Sequence, residues 1–132
     1  MGNCRVCPSV LARNIGVVFD QTLSLEKHVN SPRKASLFHL RNIAKIREYL
    51  TVNSTKSLVH AFVICRLDNC NSLLEGSPKY LFQKLQRIQN CAARLVAQLP
   101  KAARTSAILQ KLQWLPVEQR VTFKVLLLTY KA

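Results

Sequence analysis

Apolar residues recur at intervals of three and four along most of this chain, and this spacing limits it to largely helical folds. The segment 81–99 shows the pattern most clearly, because on a helix its apolar residues share one face. They are Leu81, Leu85, Ile88, Ala92, Leu95 and Leu99. The chain also has only 3 glycines and 5 prolines in 132 residues, too few for a turn-rich β protein. The sequence therefore predicts a mainly α protein, a bundle of about five helices.

Capping residues and prolines predict where these helices begin and end. The predicted helices span about 32–50, 53 or 54–75, 78–99, 105 or 106–113 and 116–132. Ser24 is expected to cap a short helical stretch before Pro32, where we expect a kink or a restart. Gly76 is expected to close the second helix.

The N-terminal part of the chain has a different pattern. Arg13–Phe19 (RNIGVVF) is short and β-branched, which predicts a β-strand or one arm of a hairpin. The chain has no internal repeat or low-complexity linker, so we expect an N-terminal segment, residues 1–23, attached to one helical domain, residues 24–132. Within that domain the segment 54–75 is apolar nearly all round, which predicts a buried central helix.

Positive charge dominates the chain and is organised in stripes. Lys and Arg number 20 against 6 Asp and Glu, a formal net charge of +14, and such a surplus favours a polyanionic partner. Three predicted helices each carry a stripe of cations without counter-charges, and Glu48 lies at the edge of the first stripe. Solvated helix faces normally mix charge signs, so we predict phosphate contacts. The candidate nucleic-acid-binding residues are Lys34, Arg41, Lys45, Lys84, Arg87, Arg94, Arg120 and Lys124.

Aromatic residues are few and mostly occupy apolar-face positions, which predicts core packing. Tyr80, beside Lys79 near a helix start, is the one aromatic side chain with a weak indication of stacking on a base. We therefore expect recognition of the nucleic-acid backbone rather than of base sequence.

Catalytic and metal-binding patterns are missing from the sequence. Two-metal nucleotidyl transfer needs clustered carboxylates, and no DD, DxD, Walker A, GxSxG or HExxH occurs. Cys4 and Cys7 form half of a zinc motif without a second half. We interpret the 5 cysteines as reduced thiols acting as small hydrophobes and the 3 histidines as surface or packing residues. We expect no enzyme activity, metal, cofactor or small-molecule substrate, and an intracellular protein, nuclear or cytoplasmic, without membrane association.

Five segments, in order, resemble LINE-type (non-LTR) retrotransposon reverse transcriptases. Residues 14–20 (NIGVVFD) are similar to the strand near the end of the palm in these enzymes. The later segments are FHLRNIAKIR (38–47), LVHAFVICRLDNCNSLLEG (58–76), KLQRIQNCAARL (84–95) and LQWLPVEQRVTFKVLLLTYKA (112–132). The chain departs from the family pattern at Pro32, where the family has a continuous helix, and at Asn69, where Tyr is more common.

The resemblance implies a fragment of such an RNA-directed DNA polymerase. Residues 1–23 would hold a remnant palm strand, and residues 24–132 a thumb-like helical domain truncated at its C-terminus. In these polymerases the thumb grips the template–primer backbone, while the catalytic aspartates precede the matched region. The alternative is a helical protein-interaction module, or self-association, through an exposed apolar face of the last helix at Val125, Leu126, Leu127 and Leu128.

Overall fold

A computed structural model describes residues 11–14, 17–20, 25–69 and 71–132 of the chain, and most of these are helical. The regular elements are β1 (Leu11–Asn14), β2 (Val17–Asp20), α1 (Glu26–Ile46), α2 (Val52–Val59), α3 (Cys65–Asp68), α4 (Lys79–Ala97), α5 (Thr105–Leu112) and α6 (Val117–Lys131). A π-helical turn, His60–Ile64, joins α2 to α3, and 3-10 turns occupy Arg47–Tyr49 and Asn71–Leu74. The mainly α class predicted from the sequence is confirmed.

The two short strands form an antiparallel pair at the N-terminal end. Leu11 lies opposite Asp20 and Asn14 lies opposite Val17, and β2 contacts α1. Residues 15, 16 and 24, which belong to the predicted strand and to the predicted Ser24 cap, lie outside the described residues. The division of the chain at residue 23 stays a prediction.

Helix α1 differs from its prediction at both ends. It begins at Glu26, runs through Pro32 and ends at Ile46. Of the two alternatives predicted at Pro32, the restart is therefore wrong, and the kink stays a prediction. Proline lacks the N–H that would bond to the carbonyl four residues earlier, which weakens the helix at that point. Burial of Val29 before the proline and of Leu40 after it stabilises both halves against the same core, and packing of this kind outweighs local propensity.

The central helix is α4, and the prediction that residues 54–75 lie at the centre is wrong. Helix α4 contacts α1, α2, α5 and α6. Its buried residues are Leu81, Leu85, Ile88, Gln89, Ala92, Ala93 and Val96. In the segment 54–75, by contrast, Ala61, Phe62 and Cys65 are exposed. This segment lacks net charge, but an uncharged face is not the same as a covered one.

The second predicted helix also ends early. Helix α3 stops at Asp68, and a 3-10 turn follows before Gly76, which has a φ of 78°. Glycine adopts this left-handed conformation without strain. Gly76 therefore closes the 3-10 turn and the bend into α4, rather than a helix that continues to Glu75.

The main core lies between α4 and the helices around it. Val29, Leu40 and Ile43 come from α1, Val59 and Val63 from α2 and the π turn, and Val117 and Val121 from α6. A second, smaller cluster joins Ala93 of α4 to Ile108 and Leu109 of α5. No helix among the described residues is long and apolar enough to cross a membrane.

Candidate nucleic-acid interface

Helix α1 presents the most open of the predicted basic faces. Lys34, Arg41 and Lys45 fall within a sector of about 40° at 100° per residue, and all three side chains are exposed. None of them pairs with a carboxylate of the residues that the structure describes. This face therefore carries three cations whose charge is free to act on a polyanion.

The basic face of α4 is partly neutralised by α1. Lys84 Nζ lies 3.0 Å from Glu26 Oε1 and 5.3 Å from the centre of the Tyr80 ring. Arg87 is exposed, whereas Arg94 is half-buried and its Nε lacks a hydrogen-bond partner in the described part of the chain. The prediction that Lys84 has no counter-charge is wrong, because its partner belongs to another helix.

The basic face of α6 likewise has one cation paired with a carboxylate and another that is exposed. Arg120 Nη1 lies 2.5 Å from Asp68 Oδ2, and Arg120 Nε donates to the Leu115 carbonyl at 3.0 Å. Lys124, one turn further along α6, is exposed. Arg120 thus fixes α6 to the end of α3 and, against prediction, also has a counter-charge. Lys124 remains open to solvent.

Arg47 is a basic residue that the sequence did not single out, and it has a structural position. Only 6% of it is exposed, and its guanidinium donates to the carbonyls of Leu50 at 2.9 Å, Leu95 at 3.0 Å and Val96 at 2.9 Å. The last carbonyls of a helix lack partners within the helix. Arg47 therefore caps the C-terminal end of α4, and it is not available to a ligand.

The ends of α1 and α4 show how these two helices are aligned. Glu26 at the start of α1 meets Lys84 near the start of α4, and Arg47, just past the end of α1, meets Leu95 near the end of α4. The two helices therefore run in the same direction along their contact. This alignment fixes the α1 basic face relative to the central helix.

Side-chain amides of α4 hold the link between α5 and α6. Gln89 is fully buried and donates to the Leu115 carbonyl at 2.8 Å. Gln86 donates to Gln89 Oε1 at 2.9 Å, and it accepts from the Val117 backbone N–H at 2.8 Å. Val117 is the first residue of α6, where backbone N–H groups have no partner within the helix. The two amides therefore fix the start of α6, and Lys124 with it.

Several aromatic side chains contradict the prediction of core packing. Phe38 is 60% and Phe62 42% exposed, whereas the 46% exposure of Tyr80 agrees with its being set apart from the packing residues. Among the side chains that the structure describes, the remaining large exposed aromatics are Tyr49, Phe123 and Tyr130. Phe38 lies about 20° beyond the edge of the sector of Lys34, Arg41 and Lys45 on α1, so its spacing indicated a position beside this solvent-facing stripe.

Histidines and cysteines occupy varied positions. His28 is buried, and this burial lowers its pKa below 6.5, opposed by a hydrogen bond with the backbone of Asn69. Of the five cysteines, the two that the structure describes lie on the surface. Cys65 and Cys91 are exposed free thiols, so their predicted role as small hydrophobes is wrong. Cys4, Cys7 and Cys70 lie outside the described residues. Within the described ranges, no group of His, Cys, Asp and Glu side chains is arranged to hold a metal ion.

The outer part of α6 is apolar and uncovered. Val117 and Val121 are buried, but Phe123 is 56%, Leu126 63% and Leu128 49% exposed. Of the residues predicted to form an apolar face, Leu126 and Leu128 are exposed, while Val125 and Leu127 are half-buried.

Comparisons with known proteins add no relative. No protein-family model matches the chain, and no curated protein or solved structure matches it.

Proposed function

We propose that this chain binds the phosphate backbone of nucleic acids through its basic helix faces. The observation that carries the proposal is the α1 face, where Lys34, Arg41 and Lys45 are exposed and unpaired among the described residues. Lysine and arginine bind phosphate through charge and hydrogen bonding, and the remainder of the +14 chain attracts the same partner at longer range.

The two ion pairs reduce the number of candidate residues that are free to bind phosphate. Lys84 and Arg120 already contact carboxylates, so a phosphate would have to compete for them. Six of the candidate residues have no such partner in the described residues: Lys34, Arg41, Lys45, Arg87, Arg94 and Lys124. These six are the primary backbone contacts in our proposal.

We further propose that the chain is the thumb-like, C-terminal part of a LINE-type reverse transcriptase. Five ordered segments of the sequence support this origin, and the mainly helical fold agrees with a thumb. The proposal implies backbone binding without polymerisation. Incubation of the pure protein with primed template, deoxynucleotides and Mg²⁺ should give no extension, and extension would contradict the proposal.

Backbone binding is tested by its salt dependence. For six phosphate contacts on a duplex, log affinity should fall against log salt concentration with a slope of about −5. A triple variant, Lys34→Glu, Arg41→Glu and Lys45→Glu, should bind more weakly and reduce the slope to about −3. Fluorescence anisotropy with a labelled duplex at several NaCl concentrations measures both quantities.

A matched control separates the effect of where the charges lie from the effect of the net charge of the chain. Lys101, Arg104 and Lys111 are exposed cations outside the three basic faces, and reversing them gives the same net charge as the first triple variant. This control should keep most of the affinity and slope of the wild type. Equal losses in the two triple variants, or a wild-type slope near zero, would contradict the proposal.

The second candidate function is protein interaction through α6, favoured by the exposed Phe123, Leu126 and Leu128. Contact between such apolar faces persists at high salt, unlike phosphate binding. Analytical ultracentrifugation in high salt should then show concentration-dependent association that Leu126→Lys removes. A monomer at all concentrations would leave self-association without support.

A further inference from the structure

An aromatic cluster lies between α1 and the π turn, beside the α1 basic face. The His39 ring stacks on the Phe62 ring, with centroids 5.1 Å apart and an interplanar angle of 26°. The Phe38 ring meets the edge of His39, with centroids 5.5 Å apart and an angle of 72°. We call Phe38, His39 and Phe62 the aromatic cluster.

The two phenylalanines of this cluster remain open to solvent although they contact a third ring. Phe38 is 60% and Phe62 42% exposed, whereas His39 between them is half-buried. Neither phenylalanine belongs to a hydrophobic core cluster, so each ring keeps a large apolar area in contact with water. The two phenylalanines, each in contact with His39, form a preorganised apolar surface that is partly open to a ligand.

The charges next to the cluster indicate which ligand fits. Lys34 and Arg41 lie on the same face of α1 as Phe38, one turn before it and one turn after it, about 10 Å apart along the axis. Both are exposed and have no carboxylate partner in the described ranges. An aromatic ring between two cations suits a ligand whose flat, uncharged part lies between two negative groups.

We propose that the aromatic cluster stacks against an unpaired base of a single-stranded nucleic acid while Lys34 and Arg41 bind the flanking phosphates. Single-strand binders combine a cationic path for the backbone with aromatic rings that stack on bases. In a duplex the base faces are covered by their neighbours, so the cluster gains little from it. This inference rests on the proposed backbone binding and adds a strand preference to it.

The proposed contact is tested with a 2-aminopurine probe. The ligand is a single-stranded oligonucleotide of about 12 nucleotides, within the site sizes of known single-strand binders, made as DNA and as RNA, with one central 2-aminopurine. Stacking of this base on Phe38 or Phe62 should change its fluorescence on binding. The same sequence in a duplex measures backbone binding alone.

Leucine substitutions separate stacking from apolar contact. Phe38→Leu and Phe62→Leu keep an apolar side chain but remove the ring, and each should weaken binding of the single strand about 5- to 100-fold. Affinity for the duplex should change by less than twofold. Tyr130→Ala, which removes an 88% exposed ring at the far end of α6, is the matched control and should leave both affinities unchanged.

The outcomes distinguish this inference from the function on which it rests. If the wild-type protein binds neither strand form, both proposals fail. If it binds both and the leucine variants lose neither single-strand affinity nor the fluorescence change, the aromatic contact alone is wrong. Equal losses on single strand and duplex would also overturn it. A wild-type dimer that Phe38→Lys dissociates would also overturn the inference, because the aromatic cluster would then be a contact between two copies of the chain.

Discussion

At the scale of single residues, the same charge performs two different tasks within a few positions. Arg41 is exposed on the α1 basic face, whereas Arg47 is buried and donates three hydrogen bonds to backbone carbonyls. A cation at the C-terminal end of a helix also opposes the negative end of its dipole. The difference between these arginines arises from α4, whose last turn lies against Arg47.

Replacement of Arg47 should therefore destabilise the fold far more than replacement of Arg41. Arg47→Ala leaves the carbonyls of Leu95 and Val96 without this partner, and we expect the free energy of unfolding to fall by about 3 kcal/mol. Arg47→Lys should recover only part of the loss, because one ammonium group cannot reproduce the planar guanidinium. Urea denaturation followed by circular dichroism measures these changes.

Arg41→Ala is the control for lost charge in the same helical region, and its unfolding free energy should stay within about 0.5 kcal/mol of the wild type. If the Arg47 and Arg41 variants are equally stable, Arg47 does not hold the end of α4.

Sequence periodicity predicts which cations share a helix face, but it does not predict which of them pair with an acid. Helical spacing correctly placed Lys34, Arg41 and Lys45 together in solvent. It missed the partners of Lys84 and Arg120, because Glu26 and Asp68 lie 58 and 52 positions away along the chain. Only tertiary packing brings these residues together, and no local pattern contains that information.

At the scale of elements, prediction was accurate where the boundary signal is local. Helix α4 begins after Pro78 and α6 after Pro116, as expected for proline at a helix N-terminus. The prediction of helix boundaries failed where tertiary packing determines them. Two examples are α1, which continues through Pro32, and α3, which ends at Asp68. The N-cap of α2 is Thr51, whose side chain accepts from the Ser54 N–H, close to the predicted Asn53 or Ser54.

The junction of α4 with α6 gives a prediction at this scale. In Gln86→Ala the Val117 N–H loses its acceptor, and the first turn of α6 should open more often. We expect amide exchange at Val117 to accelerate about fivefold to tenfold, for a lost hydrogen bond of about 1 kcal/mol. Hydrogen exchange followed by NMR resolves this single amide.

Gln83→Ala provides the comparison for that experiment, because Gln83 is an exposed residue of α4 one turn before Gln86. Its exchange at Val117 should match the wild type. Unchanged exchange in Gln86→Ala would mean that packing of Val117 and Val121 holds α6 without the amide network.

At the scale of the whole molecule, positive charge greatly exceeds what the fold itself neutralises. The chain carries +14, and two salt bridges join cations to acids within the described residues. Like charges at this density repel one another in the compact state and relax when the chain expands. The apolar core must outweigh this repulsion whenever a polyanion is not bound.

Added salt should therefore stabilise the free protein while it weakens binding. Raising NaCl from about 0.02 to 0.3 M shortens the screening length several-fold and should raise Tm by about 3 °C, equivalent to about 1 kcal/mol. The variant with Lys34, Arg41 and Lys45 changed to Glu has less charge to screen, so its Tm should rise less. A duplex added at low salt should raise the wild-type Tm through binding to the folded state. Thermal denaturation by circular dichroism checks all three expectations. A Tm that falls with NaCl would show that ion pairs such as Arg120–Asp68 contribute more to stability than charge repulsion subtracts from it.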